Sequence, residues 1–233
     1  MKRILFIIIC LLISTSLFAI DIKTGGNIGL NLSGFSGSDW QDMIDVMGWD
    51  NKYRLGFEMG AFWEIPVNHF FSIQPELNFL MVRTGFDGFY YQYFDESDTS
   101  LGGYTINTIS SNTFKIFEIP VLAKLNFGSD KARFFLLAGL MLEIIIGDVS
   151  YSTKYDDPYG YGNNDDQESA SSAPDNRVIL GGAAGLGFSI PAGDGRFIFD
   201  FRYRTTFSKV FNDINIIINT FGLRLGYSID IEF

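Results

Sequence analysis

The chain has 233 residues, among them 24 Phe, 25 Gly and 11 Tyr, with a single Cys and a formal charge of −10. One cysteine excludes a disulfide framework, and the acidity disfavours nucleic acid as a partner. Sustained helical periodicity is scarce, so the length is read as one large β domain rather than two small domains.

Lys2 and Arg3 precede an apolar run from Ile4 to Ile13, followed by Ser14-Thr15-Ser16 and Leu17-Phe18-Ala19. That is the layout of a secretory signal peptide, and the run is too short to span a bilayer. Residues 1–19 are expected to be cleaved and residues 20–233 to form the mature domain. Cleavage removes Cys10 and takes the formal charge from −10 to −12. A cysteine-free exported chain must draw its stability from burial, closure or a membrane.

Two-residue periodicity then dominates, as in strands with two unlike faces. The first candidate is 22–33, "IKTGGNIGLNLS". In 53–65 Leu55, Phe57, Met59 and Ala61 alternate with Arg54, Gly56, Glu58 and Gly60; in 70–82 Ile73, Leu77 and Phe79 alternate with Gln74, Glu76 and Asn78. The fourth, 114–127, sets Phe117, Ile119, Val121 and Leu125 against Glu118, Lys124 and Asn126. The fifth, 132–146, is almost continuously apolar; Gly139 and Glu143 favour a strand there over a helix. Three more follow at 177–190, 196–207 and 221–233, the seventh alternating Phe199, Phe201 and Tyr203 with Asp200, Arg202 and Arg204.

Connections alternate in length. Residues 35–52, 85–112 and 149–176 are long, polar and acidic, whereas Pro66 to His69, Gly128 to Lys131 and Pro191 to Gly195 are tight. The pattern predicts an all-β, eight-stranded antiparallel up-and-down transmembrane β-barrel, with three long acidic extracellular loops and short periplasmic turns.

A soluble barrel would also alternate, with its apolar face inward. Here the second face is rich in Gly, Asn and Ser, as a narrow lumen requires. It carries charges of both signs: Arg54, Lys124, Arg202, Arg204 and Arg224 against Glu58, Glu64, Glu76, Glu118, Glu143, Asp200 and Asp230. Of these, Arg54, Glu58, Glu76, Glu118, Lys124, Glu143, Asp200, Arg202, Arg204 and Arg224 are the candidates for a lumen charge network. The apolar face is nearly free of charge, and one Arg or Lys at mid-membrane there would cost roughly 2–4 kcal/mol. Tyr53, Trp63, Phe70, Phe71, Phe127, Phe134, Phe197, Phe207 and Phe233 near strand ends fit two interfacial girdles. Lipid of the outer membrane is therefore the expected surrounding.

The closing stretch "FGLRLGYSIDIEF" alternates Leu223, Leu225, Tyr227, Ile229, Ile231 and Phe233 with small or polar residues. Such an extended segment suits recognition by strand addition, which marks these six residues as a candidate signal for the barrel-assembly machinery.

"GGNIGLNLSGF", "FSIQPELNFL", "FEIPVLAKLNF", "FFLLAGL", "GLGFSI", "FDFRYRTTFSKVFND" and "FGLRLGYSI" together resemble the PorT-like outer-membrane β-barrel family over roughly Gly25 to Phe233. The resemblance implies an eight-stranded barrel in the outer membrane of a diderm bacterium. Its founding member is linked to a secretion system, and the family supplies no catalytic residues.

The remaining motifs point away from known chemistry. "GGAAGLG" lacks the strand-to-helix turn of a dinucleotide site. His69, the only histidine, falls in a tight turn on the periplasmic side, which disfavours a Ser-His-Asp hydrolase. The acidic loops match no regular calcium spacing, and no cofactor is expected. Trp40, Trp49, Tyr155, Asp156, Asp157, Tyr159, Tyr161, Asp165 and Asp166 are candidates for loop recognition, because Tyr, Gly, Asn and Asp make adaptable contact surfaces. The sequence thus favours an interaction barrel contacting an extracellular or envelope protein. A secretion-accessory barrel or narrow pore comes second, and a lipid-modifying enzyme third.

Overall fold

The computed structural model describes residues 22–93, 103–156, 167–210 and 215–231. The expected signal peptide lies outside the described residues. Ten β segments and one helix run in the order β1 (Ile22–Ser36), α1 (Ser38–Met47), β2 (Asp50–Pro66), β3 (Phe71–Tyr93), β4 (Gly103–Ser129), β5 (Ala132–Ile145), β6 (Val149–Asp156), β7 (Gln167–Ser172), β8 (Val178–Ala192), β9 (Gly195–Thr206) and β10 (Ile217–Ile231).

Eight of the strands form a closed antiparallel wall. β1 pairs with β2, β2 with β3, β3 with β4, β4 with β5, β5 with β8, β8 with β9 and β9 with β10. β10 then pairs with β1, in unbroken register from Ile22↔Ile231 to Ser36↔Ile217. Closure leaves the wall no free edge, so each strand's backbone is satisfied without water.

β6 and β7 rise above the wall. β6 continues the β5 side of β4, from Thr113↔Ser150 to Asn107↔Asp156, and β7 pairs with β6. Gly147, at φ 70, separates β5 from β6 in the left-handed region that a side chain disfavours.

Three stretches predicted as loops are more ordered than that. Much of 85–112 belongs to the long β3–β4 hairpin, paired up to Tyr93↔Gly103. Residues 149–176 contain β6 and β7, and 35–52 contain α1. The physical reason is common to the strand extensions. Thr105, Asn107, Ser111, Ser150 and Ser152 lie beyond the lipid, where neither face needs an apolar row, so the alternation that reveals a membrane strand is missing.

At the other end the links are tight. Asn68 turns the chain between β2 and β3, its side-chain oxygen accepting the N–H groups of Phe70 (3.1 Å) and Phe71 (2.9 Å). Gly128 (φ 108) and Gly193 (φ 61) supply the left-handed backbone for the two turns that follow. Exposed His69 sits in the first turn, its ring 5.0 Å from Phe70.

The wall is inside-out relative to a soluble barrel. Ile28, Leu30, Leu55, Met59, Val121, Leu136, Leu186 and Leu223 face outward and are exposed, while Glu58, Glu76, Glu118, Arg202, Arg204 and Arg224 are buried inside. Among the described residues no helix is long and apolar enough to cross a membrane; the crossing is made by strands.

Candidate functional site: a charged lumen under an apolar cap

Inward positions fall into layers because residues at i and i+2 share a face. On β4 they run Phe114, Ile116, Glu118, Pro120, Leu122 and Lys124 from the long-loop end to the tight-turn end. The other strands step through similar levels.

The top layer is apolar. Helix α1 lays Trp40 and Ile44, one turn apart, onto Phe35, Leu80, Val82, Phe114, Ile116, Ile145, Ile179 and Ile218. Trp40 meets Phe35 edge-on at 5.0 Å, and Trp49 stacks on Phe86 at 4.3 Å. The helix ends at Gly48 (φ 66), after which the Trp49 N–H donates to the Ile44 carbonyl at 2.9 Å. At its start, Asp39 accepts the Asn215 N–H at 2.7 Å. That bond fastens the first loop to the segment before β10 and, with the Ser38 hydroxyl, lowers the Asp39 carboxyl below its ordinary value.

Charge fills the next two levels. Arg204 lies 2.8 Å from Glu58 and 3.0 Å from Glu118, contacts that are electrostatic rather than well-aligned hydrogen bonds. Below it, Arg202 bridges Glu76 (2.7 Å) and Asp200 (2.6 Å), and Arg224 reaches Glu76 (3.1 Å) and also contacts Asp200. Gln74 and Asn78 donate to Glu76 at 2.7 and 2.9 Å, and Asn78 donates on to Glu118 at 2.9 Å. Buried charges require such pairing, since removing them from water costs several kcal/mol each. Glu143, opposite Glu118 in the β4–β5 register, has no ion pair among the described residues.

A second apolar cluster lines the lumen beside and below these charges: Phe62, Leu122, Phe135, Leu137, Met141, Ala183 and Ile198, with Ala183 opposite Arg204 in the β8–β9 register. At the tight-turn end Lys124 pairs with Glu64 at 2.7 Å and lies 4.4 Å over the Phe135 ring, while Ser72 and Asn126 donate to Glu64. Between Gln74, Lys124, Asp200 and Arg224 the lumen leaves a void of about 10 Å³, no more than the room a water needs.

The structure therefore brings together Glu58, Glu76, Glu118, Asp200, Arg202, Arg204 and Arg224, and sets Lys124 apart with Glu64. Arg54 does not join them: it pairs with Asp87 near the long-loop end, half-buried. Asp230 is exposed. Sequence alternation placed the charges on one face but missed the amides Gln74 and Asn78, which tie the carboxylates together. Their signal was present, since both share the inward parity of Glu76.

Trp40 requires a correction as a loop-recognition residue. It is only 3% exposed, because its indole fills the apolar mouth of the barrel. Trp49 is half-buried against Phe86, and Tyr155 is half-buried on β6. The backbone of Asp156 pairs with Asn107. Asp157, Tyr159, Tyr161, Asp165 and Asp166 lie outside the described residues. Leu223, Leu225, Tyr227 and Ile229 are exposed on the outward face of β10, with Ile231 half-buried at its end; Phe233 lies outside the described residues.

A closed wall with an apolar exterior, a charged interior and long connections at one end defines an integral β-barrel of the outer membrane. The chain belongs to the family described as the outer membrane protein beta-barrel domain, whose model matches residues 16–212. No curated protein matches it. Among solved structures it is similar to the attachment invasion locus protein Ail of Yersinia pestis (15% identity, TM-score 0.39, covering 88% of this chain and 97% of that one). It is similar also to Neisserial surface protein A (12%, 0.45, 90% and 97%) and to OprG from Pseudomonas aeruginosa (11%, 0.43, 91% and 97%).

Proposed function

We propose that this barrel is a closed anchor that presents its long loops at the cell surface to an extracellular or envelope protein, and that it is not an enzyme. The observation that carries this reading is the filling of the lumen. An apolar cap closes the mouth, and an ion-pair network with a second apolar cluster beside and below it fills the interior, which directs function to the exterior. Trp49, Tyr155 and Asp156, with Asp157, Tyr159, Tyr161, Asp165 and Asp166, are the contact residues on this reading. Residues 1–19 act as the cleaved export signal, and the β10 alternation as the signal to the assembly machinery.

Planar-bilayer recording tests it: the purified barrel is expected to be electrically silent. Stepwise conductance responding to Glu118→Gln or Arg202→Gln would overturn the anchor in favour of a narrow pore. In parallel, deletion of 157–166 is expected to abolish surface capture of the partner while leaving heat-modifiable gel mobility intact. A secretion-accessory role remains the second reading, on the PorT-like stretches, but these lie largely in the wall and carry no role with them.

A further inference from the structure

The outward face of the β3–β4 hairpin ends in two cations. On β3 the outward row is Phe71, Ile73, Pro75, Leu77, Phe79 and Met81, then Arg83; on β4 it is Phe127, Leu125, Ala123, Val121, Ile119 and Phe117, then Lys115. Both rows are free of charge until those residues. Met81 pairs with Lys115 and Arg83 with Thr113, so the two cations are diagonal neighbours on one face. Diagonal neighbours lie roughly 7–8 Å apart at the backbone, within the span of long side chains converging on one group.

Their height follows from strand geometry. Ten residue steps at about 3.3 Å, inclined at about 40°, rise about 25 Å, which is the height of the apolar band of an outer-membrane barrel. One further outward position brings Arg83 and Lys115 to the upper border of that band. Directly below them, Phe57, Phe79 and Phe117 form an outward aromatic row across β2, β3 and β4, with ring separations of 6.2 and 6.0 Å. Both cations are exposed, and among the described residues neither makes an ion pair.

We propose that Arg83 and Lys115 form a binding site for the phosphate of an anionic lipid in the outer leaflet, with the aromatic row beneath them receiving its acyl chains. The occupant is a lipid rather than free phosphate because the cations crown an apolar surface instead of lining a polar cleft. Arg83 supplies a planar fork and Lys115 a point charge, the two common ways of holding a phosphate oxygen.

The test is native mass spectrometry of the full barrel released from phosphatidylcholine nanodiscs doped with a diphosphorylated glycolipid. Wild-type protein is expected to retain the glycolipid. The double variant Arg83→Gln with Lys115→Gln should retain it about thirty-fold more weakly, the combined worth of two cations at a charged membrane surface. Lys52→Gln, a cation elsewhere near the long-loop end, should change nothing. Retention by the double variant equal to wild type would overturn the site. Displacement of the glycolipid by free inorganic phosphate would overturn the lipid assignment. Should the double variant fail to assemble, salt titration of the wild-type complex decides: retention falling steeply with salt supports the site, and salt-independent retention overturns it.

Discussion

Asp39 holds Asn215 across 176 residues of sequence, its carboxylate accepting the backbone N–H at 2.7 Å. The bond joins the start of α1 to the segment that leads into the strand closing the barrel. Because the Asp39 carboxyl is held below its ordinary value of 3.8, chiefly by the Asn215 N–H, its stabilisation is complete above that value. It is lost as pH falls through the lower, folded value. Acidification through that range should loosen α1 and change the fluorescence of Trp40, whereas Asp39→Asn should show no such step.

Glu76 is the acceptor for Arg202, Arg224, Gln74 and Asn78 together. Glu76→Ala would leave two buried guanidinium groups short of one partner, and breaking a buried pair costs about 3–5 kcal/mol. Urea unfolding in detergent micelles should show that loss. Asp50→Ala, which removes an exposed pair with Lys52, should cost about 1 kcal/mol or less.

Trp40→Ala should empty the mouth. Loss of a buried Trp costs about 3–5 kcal/mol in a packed core. Here the loss is confined to the cap, because the wall's hydrogen bonds do not depend on the indole. Hydrogen exchange should therefore quicken in α1 while β1 and β10 remain protected.

Deleting Phe233 should lower the yield of heat-modifiable barrel without raising soluble protein in the cytoplasm. Replacing an exposed aromatic at the end of another strand, Phe207→Ala, should not. Equal assembly of both variants would reject the signal role for the closing alternation.

The wall was legible in the sequence wherever lipid imposes its rule. Ile28, Leu30, Leu223 and Leu225 alternate with Asn, Gly and Arg because one side meets hydrocarbon and the other a confined interior. The rule gives no guidance where both sides meet the same medium. Above the lipid, the β3–β4 extension and β6–β7 carry Ser and Thr on both faces. In β5 the opposite degeneracy holds: Phe134, Leu136 and Leu140 point outward while Phe135, Leu137 and Met141 point inward, so the strand is apolar throughout. Helix α1 shows its Trp40–Ile44 spacing in sequence, but a single turn of amphipathicity is faint amid an acidic loop. Individual ion pairs were illegible, because parity gives the face of a residue and not its partner. Arg54 illustrates the limit, since a register shift between Tyr53 and Phe57 accompanies its pairing with Asp87.

The ladder from Ile22↔Ile231 to Ser36↔Ile217 joins positions almost the whole domain apart. Contacts of such long sequence separation form late, since the chain between them must first be ordered. Until they form, the strands would expose both an apolar face and two unpaired edges, the combination that drives aggregation. The same closure that removes every edge from the finished wall leaves the unfinished chain exposed to its own edges until its first and last strands meet.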